Sequence, residues 1–214
     1  MMQYNPTLFR DRIDAGQRLG LRLQELKVQD PVVLGVPAGG VPVAREVANA
    51  LQAPLDLIIA RKIQFPWTTE AGFGAVVADG TVYLGPYADS LPSAVVQAQT
   101  RKAQMEVEQR TREFRRRVRP VKLAGRTAIL VDDGLASGST MLAVVQSVRH
   151  KAPNQIIVAA PTASGTAVTL LETQVDRLVA LYVHPANLPF AVASSYEQWH
   201  DLSDAEVLKH LEDV

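Results

Sequence analysis

Five short apolar runs constrain this chain more than any other feature. They are Val32-Val33-Leu34-Gly35-Val36, Leu55-Asp56-Leu57-Ile58-Ile59-Ala60, Thr127-Ala128-Ile129-Leu130-Val131, Gln155-Ile156-Ile157-Val158-Ala159-Ala160 and Arg177-Leu178-Val179-Ala180-Leu181. Each has strand length and is rich in β-branched residues. A strand with one wet face alternates apolar and polar residues. A nearly unbroken run belongs to a strand buried on both faces, as in a parallel sheet. Helix-period segments lie between the runs. Phe9, Ile13, Gly16, Leu19, Leu23 and Leu26 precede the first, and Ala44, Val47, Ala48 and Leu51 follow it. Met141, Val144, Val145 and Val148 follow the third run, and Ala167, Leu170, Leu171 and Gln174 the fourth. This alternation predicts an α/β fold, doubly wound about a mainly parallel five-stranded sheet with right-handed crossovers. A last helix over Asp204 to Leu211 is announced by Ser203 and Glu206 at capping-box spacing.

One gap breaks the rhythm. Residues 62 to 125 are too many for a single crossover. Within them, Phe73 to Ala78 and Thr81 to Leu84 flank Asp79-Gly80, a hairpin signal. A charged segment follows from about Pro92 to Val118, with Val96, Ala103, Val107, Phe114 and Val118 on one narrow helical stripe. The expectation is one domain over residues 1–214, carrying an inserted hood or flap at about 63–125 that packs on the sheet by one face. The 214 residues suffice for one sizeable core.

Composition removes several functions. There are no cysteines, which excludes disulfides, thiolate catalysis and cysteine-bound zinc. The four histidines, His150, His184, His200 and His210, show no metal spacing. Formal net charge is zero, so no global field draws nucleic acid or an anionic membrane. No apolar window of about 18 residues predicts a membrane span. The charged start at Arg10, Asp11, Arg12 and Asp14 lacks the apolar stretch of a secretory signal. A cytoplasmic protein is expected.

The chemistry concentrates where the third run ends. Val131 is followed by Asp132-Asp133, then by the small-residue loop Gly134-Leu135-Ala136-Ser137-Gly138, then by Ser139-Thr140 at a helix start. Small residues let backbone N–H groups close around an anion, and a helix N-terminus adds aligned donors and a positive dipole end. The hydroxyls of Ser137, Ser139 and Thr140 can donate to phosphate oxygens. The two carboxylates can accept from paired sugar hydroxyls. One stretch therefore suits a phosphorylated ribose. The plainer alternative is an acidic turn followed by a helix cap.

This segment resembles the signature of the type I phosphoribosyltransferases, most of all a bacterial and archaeal group of unassigned acceptor. The likeness runs from Phe9-Arg10-Asp11-Arg12 through Asp132-Asp133-Gly134-Leu135 to Asp204-Ala205-Glu206-Val207. It implies that Asp132 and Asp133 bind the ribose hydroxyls, and reach Mg²⁺ indirectly. It implies that Ala136 to Thr140 cradle the 5-phosphate, with Gly134 and Leu135 also in the substrate-binding set. Val36-Pro37-Ala38-Gly39-Gly40 stands at the family's pyrophosphate loop, and Arg61-Lys62 where several members carry a basic residue for pyrophosphate. The implied activity is transfer from 5-phosphoribosyl 1-pyrophosphate to a nitrogenous acceptor in nucleotide metabolism, with Asp132, Asp133 and Lys62 as the catalytic set. The implied strand order is 2-1-3-4-5, and the resemblance allows a homodimer.

Two departures stand out. Relatives usually read Pro-Arg-Gly-Gly where this chain has Ala38, so a forked donor to phosphate is missing and the backbone N–H groups of Ala38, Gly39 and Gly40 remain. Hypoxanthine-guanine members carry an aspartate at the position of Ala136, and alanine cannot move a proton. The alternative function is a non-catalytic sensor of phosphoribosyl pyrophosphate or a nucleotide. The cluster Arg110, Arg112, Arg115, Arg116, Arg117 and Arg119 is usually a solvated face with pairs such as Glu108 with Arg112. Anion capture, a dimer contact or a nucleic-acid contact are its alternatives. Phe65 and Trp67 could stack on a base or pack in the core.

Overall fold

The structure is a computed structural model that describes residues 8–68 and 71–211. The two ends of the 1–214 domain reading, and residues 69–70 of the expected hood, lie outside the described residues. In chain order the elements are α1 (Arg12–Gln24), β1 (Pro31–Gly35), α2 (Gly40–Leu51), β2 (Leu55–Leu57), β3 (Ala60–Gln64), β4 (Gly72–Val77) and β5 (Val82–Leu84). Then come α3 (Ser93–Phe114), β6 (Thr127–Val131), α4 (Ser139–Arg149), β7 (Gln155–Ser164), α5 (Gly165–Leu171), β8 (Arg177–His184) and α6 (Asp204–Lys209).

The apolar runs make a parallel sheet in the order β2-β1-β6-β7-β8. Counting only its own strands, this is the expected 2-1-3-4-5. Consecutive residues of one strand feed opposite layers. Val33, Ile129 and Ile157 pack with Leu19, Leu23, Val43 and Val47 of α1 and α2. Val32, Leu34, Ala128, Leu130, Ile156 and Val158 pack with Met141, Val144, Val145 and Val148 of α4. Both faces of β1, β6 and β7 are dry, which is why those runs do not alternate, whereas β8 at the sheet edge is only partly buried.

The second apolar run differs from expectation. Leu55 to Ala60 reads as one strand, but only Leu55–Leu57 pairs with β1. At Ile58-Ile59 the chain changes sheets. The N–H of Ile58 donates to the carbonyl of Gly35 at 3.1 Å, and the carbonyl of Ile59 accepts from Ala78 at 3.0 Å. Ala60–Gln64 is then the first strand of an antiparallel sheet, β3-β4-β5. Arg61 and Lys62 therefore ride on the hood and do not end a strand of the main sheet. The run is continuous because both sheets bury it. Asp56, only 3% exposed, is its one charge. Arg115 forms an ion pair with it, and Val121 donates a backbone N–H at 2.9 Å.

The hairpin at Asp79-Gly80 is present. Gly80 adopts φ +88°, which favours glycine, and Asp79 Oδ1 accepts from the N–H of Thr81 at 3.0 Å. The stripe of α3 buries Ala103, Val107 and Phe114, with Val118 just beyond the helix end. It packs on β3 and β4 of the hood sheet, not on the main sheet as expected, while α4 lies against all three hood strands. A bond of 2.6 Å from Ser147 Oγ of α4 to Asp79 Oδ2 joins the hairpin to the main body. At the chain's start, α1 begins at Arg12 under an Asp11 cap. Phe9 instead bridges to Tyr196, and residues 8–10 exchange backbone hydrogen bonds with 195–198. The capping box of Ser203 and Glu206 opens α6 as the spacing predicts.

Candidate active site

Strands β1 and β6 are neighbours, and their following helices cover opposite faces of the sheet. Their two loops meet at the carboxyl edge, where ligands of open α/β sheets bind. Sequence reasoning expects these loops to face one another across a crevice. They are in contact. A Cβ placed on Gly39 would lie 1.8 Å from Asp133 Oδ2, and one on Gly40 would lie 2.6 Å from the carbonyl oxygen of Val131. The glycine pair is therefore more than a helix entry turn. It lets the start of α2 press against the acidic loop.

The acid pair is held asymmetrically. Asp133 Oδ2 accepts from Arg12 Nε at 2.8 Å, its carbonyl accepts from the Tyr196 hydroxyl at 2.5 Å, and its N–H donates to Asp132 Oδ1 at 2.9 Å. Arg12 is itself seated. Its Nη1 donates to the carbonyl of His200 at 3.0 Å, and its Cζ lies 3.9 Å from the centre of the Trp199 ring. Burial, and then the charge of Asp133, push the Asp132 carboxyl well above the ordinary range. Burial also raises Asp133, but Arg12 opposes it with charge and a hydrogen bond. Burial and the charge of Asp133 push the Tyr196 phenol far above its usual range, so it stays a donor.

The rest of the acidic loop is pinned to the tip of β7. Leu135 N–H donates to the carbonyl of Thr162 at 2.9 Å, and Leu135 O accepts from Ser164 at 2.8 Å. Ser164 Oγ donates to the carbonyl of Ala136 at 2.5 Å. Leu135 is 2% exposed, so its side chain anchors the loop. Ala136 and Ser137 remain exposed, and Gly138 precedes α4 with φ +78°. A cavity of about 180 Å³ opens here, lined by Asp132, Gly134 to Gly138, Thr140 and Lys62.

A larger cavity of about 990 Å³ adjoins it. It gathers Ala38, Gly39, Arg61, Lys62, Asp132, Asp133 and Thr140 from the sequence-predicted set. Lys62 lines both cavities. Gly40 and Ser139 line neither, and Arg61 is paired with Glu106 of α3 at 2.7 Å. Among the described residues no group of three or more His, Cys, Asp or Glu is placed to hold a metal ion.

Sequence reasoning missed the wall formed by Arg12, Ala191 to Ala193, Trp199 and Asp201 to Asp204. A lone arginine at a helix start carries no signal of a partner 121 residues away. The one available hint was the family likeness over Phe9-Arg10-Asp11-Arg12. Of the arginine-rich segment, Arg110 pairs with Asp204 and Arg115 with Asp56, while Arg112, Arg116, Arg117 and Arg119 are exposed. Trp67 is 70% exposed and stacks on Phe65 at 5.3 Å, beside a separate cavity that shares Gln64 with the large one.

These features define a doubly wound α/β protein with an acid pair and a small-residue loop at the point where the strand order reverses. The chain belongs to the phosphoribosyl transferase domain family, whose pattern matches residues 19–179. It is 40% identical over 208 residues to two Mycobacterium tuberculosis proteins, each named "Putative phosphoribosyl transferase". That match covers 96% of this chain and 46% of theirs, so the chain spans about half the length of these curated relatives. The crystal structure of TT1426 from Thermus thermophilus is 35% identical, with a TM-score of 0.79, and covers 96% of this chain and 98% of that one. The AQ2163 protein of Aquifex aeolicus shares the fold at 11% identity and a TM-score of 0.53, over 81% of this chain and 74% of that one. No helix among the described residues is long and apolar enough to cross a membrane.

Proposed function

We propose that this chain transfers a phosphoribosyl group from 5-phosphoribosyl 1-pyrophosphate to a nitrogenous acceptor, releasing pyrophosphate. One observation carries the reading. The acid pair, the small-residue loop and Ala38-Gly39 converge on adjoining cavities that Lys62 also lines. The 5-phosphate would lie against the backbone of Ala136 to Ser139 and the start of α4. Asp132 and Asp133 would accept from the ribose hydroxyls. The pyrophosphate would lie between the N–H groups of Ala38 to Gly40 and the cations Arg61 and Lys62. In the step itself, the acceptor nitrogen's lone pair forms a bond to the anomeric carbon. The carbon–oxygen bond to pyrophosphate breaks with its electron pair, and the acceptor proton leaves to solvent. The protein's contribution is positioning, charge stabilisation and exclusion of water.

Mg²⁺ would neutralise the leaving group. The donor set suits a cation carried in on the ligand's oxygens and shared with the acid pair, since no all-protein cage is at hand among the described residues. Ala136 at the loop's centre argues for an acceptor other than a 6-oxopurine. A second reading, a non-catalytic sensor on the same site, draws on Ala38 alone, because the loop lacks a side-chain donor for pyrophosphate.

Calorimetric and thermal-shift titration with phosphoribosyl pyrophosphate, with and without Mg²⁺, tests the ligand. Saturation at about 100 times the dissociation constant should add about 2.7 kcal/mol of stability. Pyrophosphate release on addition of nitrogenous acceptors then separates enzyme from sensor. Absence of binding at millimolar ligand would sink the transfer reading and leave only a sensor of some other phosphorylated ligand, such as a nucleotide.

A further inference from the structure

We infer that Arg12 is a positioning residue for the ribose-binding acid Asp133, acting as the guanidinium that fixes which carboxylate oxygen meets the ligand. The inference rests on the phosphoribosyl pyrophosphate reading of the site. Arg12 is carried by the first turn of α1 and is only 7% exposed, yet it lines the large cavity. Its Nε binds Asp133 Oδ2 at 2.8 Å, in a pair whose side chains are 8% and 13% exposed. With Oδ2 taken by Arg12 and turned toward Gly39, the carboxylate cannot rotate, and Oδ1, which faces the Asp132 carboxyl, is the oxygen the guanidinium does not hold.

The guanidinium cannot wander. Trp199 covers it at 3.9 Å, and the carbonyl of His200 holds Nη1 at 3.0 Å. That strap is fastened in turn. Gln198 N–H donates to the carbonyl of Arg10 at 2.8 Å, Glu197 N–H to Phe9 at 2.9 Å, and the Tyr196 hydroxyl to the Asp133 carbonyl at 2.5 Å. Nε and Nη1 thus donate to two different groups in fixed directions. A lysine ammonium is a point charge without that fork. Arg12, Tyr196 and Trp199 all lie outside residues 19–179, the stretch that the family pattern covers. A purely structural ion pair would not require its anion to be one of the two acids at the cavity floor.

The test is a double-mutant cycle read by calorimetry with phosphoribosyl pyrophosphate and Mg²⁺, run below the unfolding temperature of each variant. Arg12→Gln should weaken binding by about tenfold or more in the original background. It should cost less than about twofold when Asp133→Asn is already present, because the residue it acts through is gone. Arg12→Lys, which keeps the charge and the fold, should recover only part of the affinity. Equal losses in both backgrounds would show that Arg12 contacts the ligand itself, and would overturn the inference. So would unchanged affinity in Arg12→Gln, or full affinity in Arg12→Lys. Failure of the unaltered protein to bind overturns instead the ligand reading beneath it.

Discussion

Two loops leave the carboxyl edge of the main sheet side by side, and they work by opposite means. The loop after β6 supplies side chains: two carboxylates and then hydroxyls at Ser137, Ser139 and Thr140. The loop after β1 supplies the absence of side chains. Gly39 and Gly40 leave room for Asp133 and Val131, and Ala38 leaves only backbone donors. The first kind of loop announces itself in a sequence, because its chemistry is written in residue types. The second announces only that something comes close, without saying what. The difference also divides the expected effects of mutation, since one loop should fail by losing a group and the other by gaining one.

The largest expected effect separates the two acids. Asp133→Ala leaves the buried Arg12 guanidinium without its anion, and should lower stability by about 3–5 kcal/mol in urea unfolding. Asp132→Asn should behave in the opposite way. The folded state raises the Asp132 pKa and so binds that proton more tightly than the unfolded chain does. Stability should therefore climb as pH falls through the raised value toward the ordinary aspartate range. The asparagine variant should be the more stable protein at neutral pH and should lose that part of the pH dependence, while binding phosphoribosyl pyrophosphate less tightly. Equal destabilisation by the two changes would erase the asymmetry described for the pair.

Next comes the glycine loop. Gly39→Ala forces a methyl group onto Asp133 Oδ2, and should cost about 2–3 kcal/mol with loss of ligand binding. A variant as stable as the original would mean that the loops do not touch. The smallest effect is a gain. Ala38→Arg restores the forked donor that relatives usually carry, and should tighten binding of pyrophosphate by about tenfold, or about 1.4 kcal/mol. No change on titration with pyrophosphate would remove this loop from the leaving-group site.

The same division explains how much could be read in advance. The five strands and the acidic loop were legible, because continuous burial and paired acids before a helix are local patterns, whereas their order 2-1-3-4-5 came only from the family resemblance. The extent of β2 was not. Leu55 to Ala60 is apolar throughout, and hydrophobicity does not record which of two sheets buries a residue. Arg12 was invisible for another reason. Its worth lies in a partner 121 positions distant and in a strap at 196–200 whose own sequence looks like a surface loop. The placement of Lys62 beside both cavities follows from the change of sheets at Ile58-Ile59, so the error over β2 and the misplacement of Lys62 are one error.

That crossing has a mechanical consequence. Only Ile58 and Ile59 separate the last paired residue of the main sheet from the first of the hood, and both are buried and tied by backbone bonds to Gly35 and Ala78. The hood is thus built in like a beam held at both ends, since Ser147 of α4 also fastens its hairpin, and not hung like a door. Arg61 and Lys62 leave directly from its root at the crossing. Whatever enters the cavity meets those two cations at nearly constant reach.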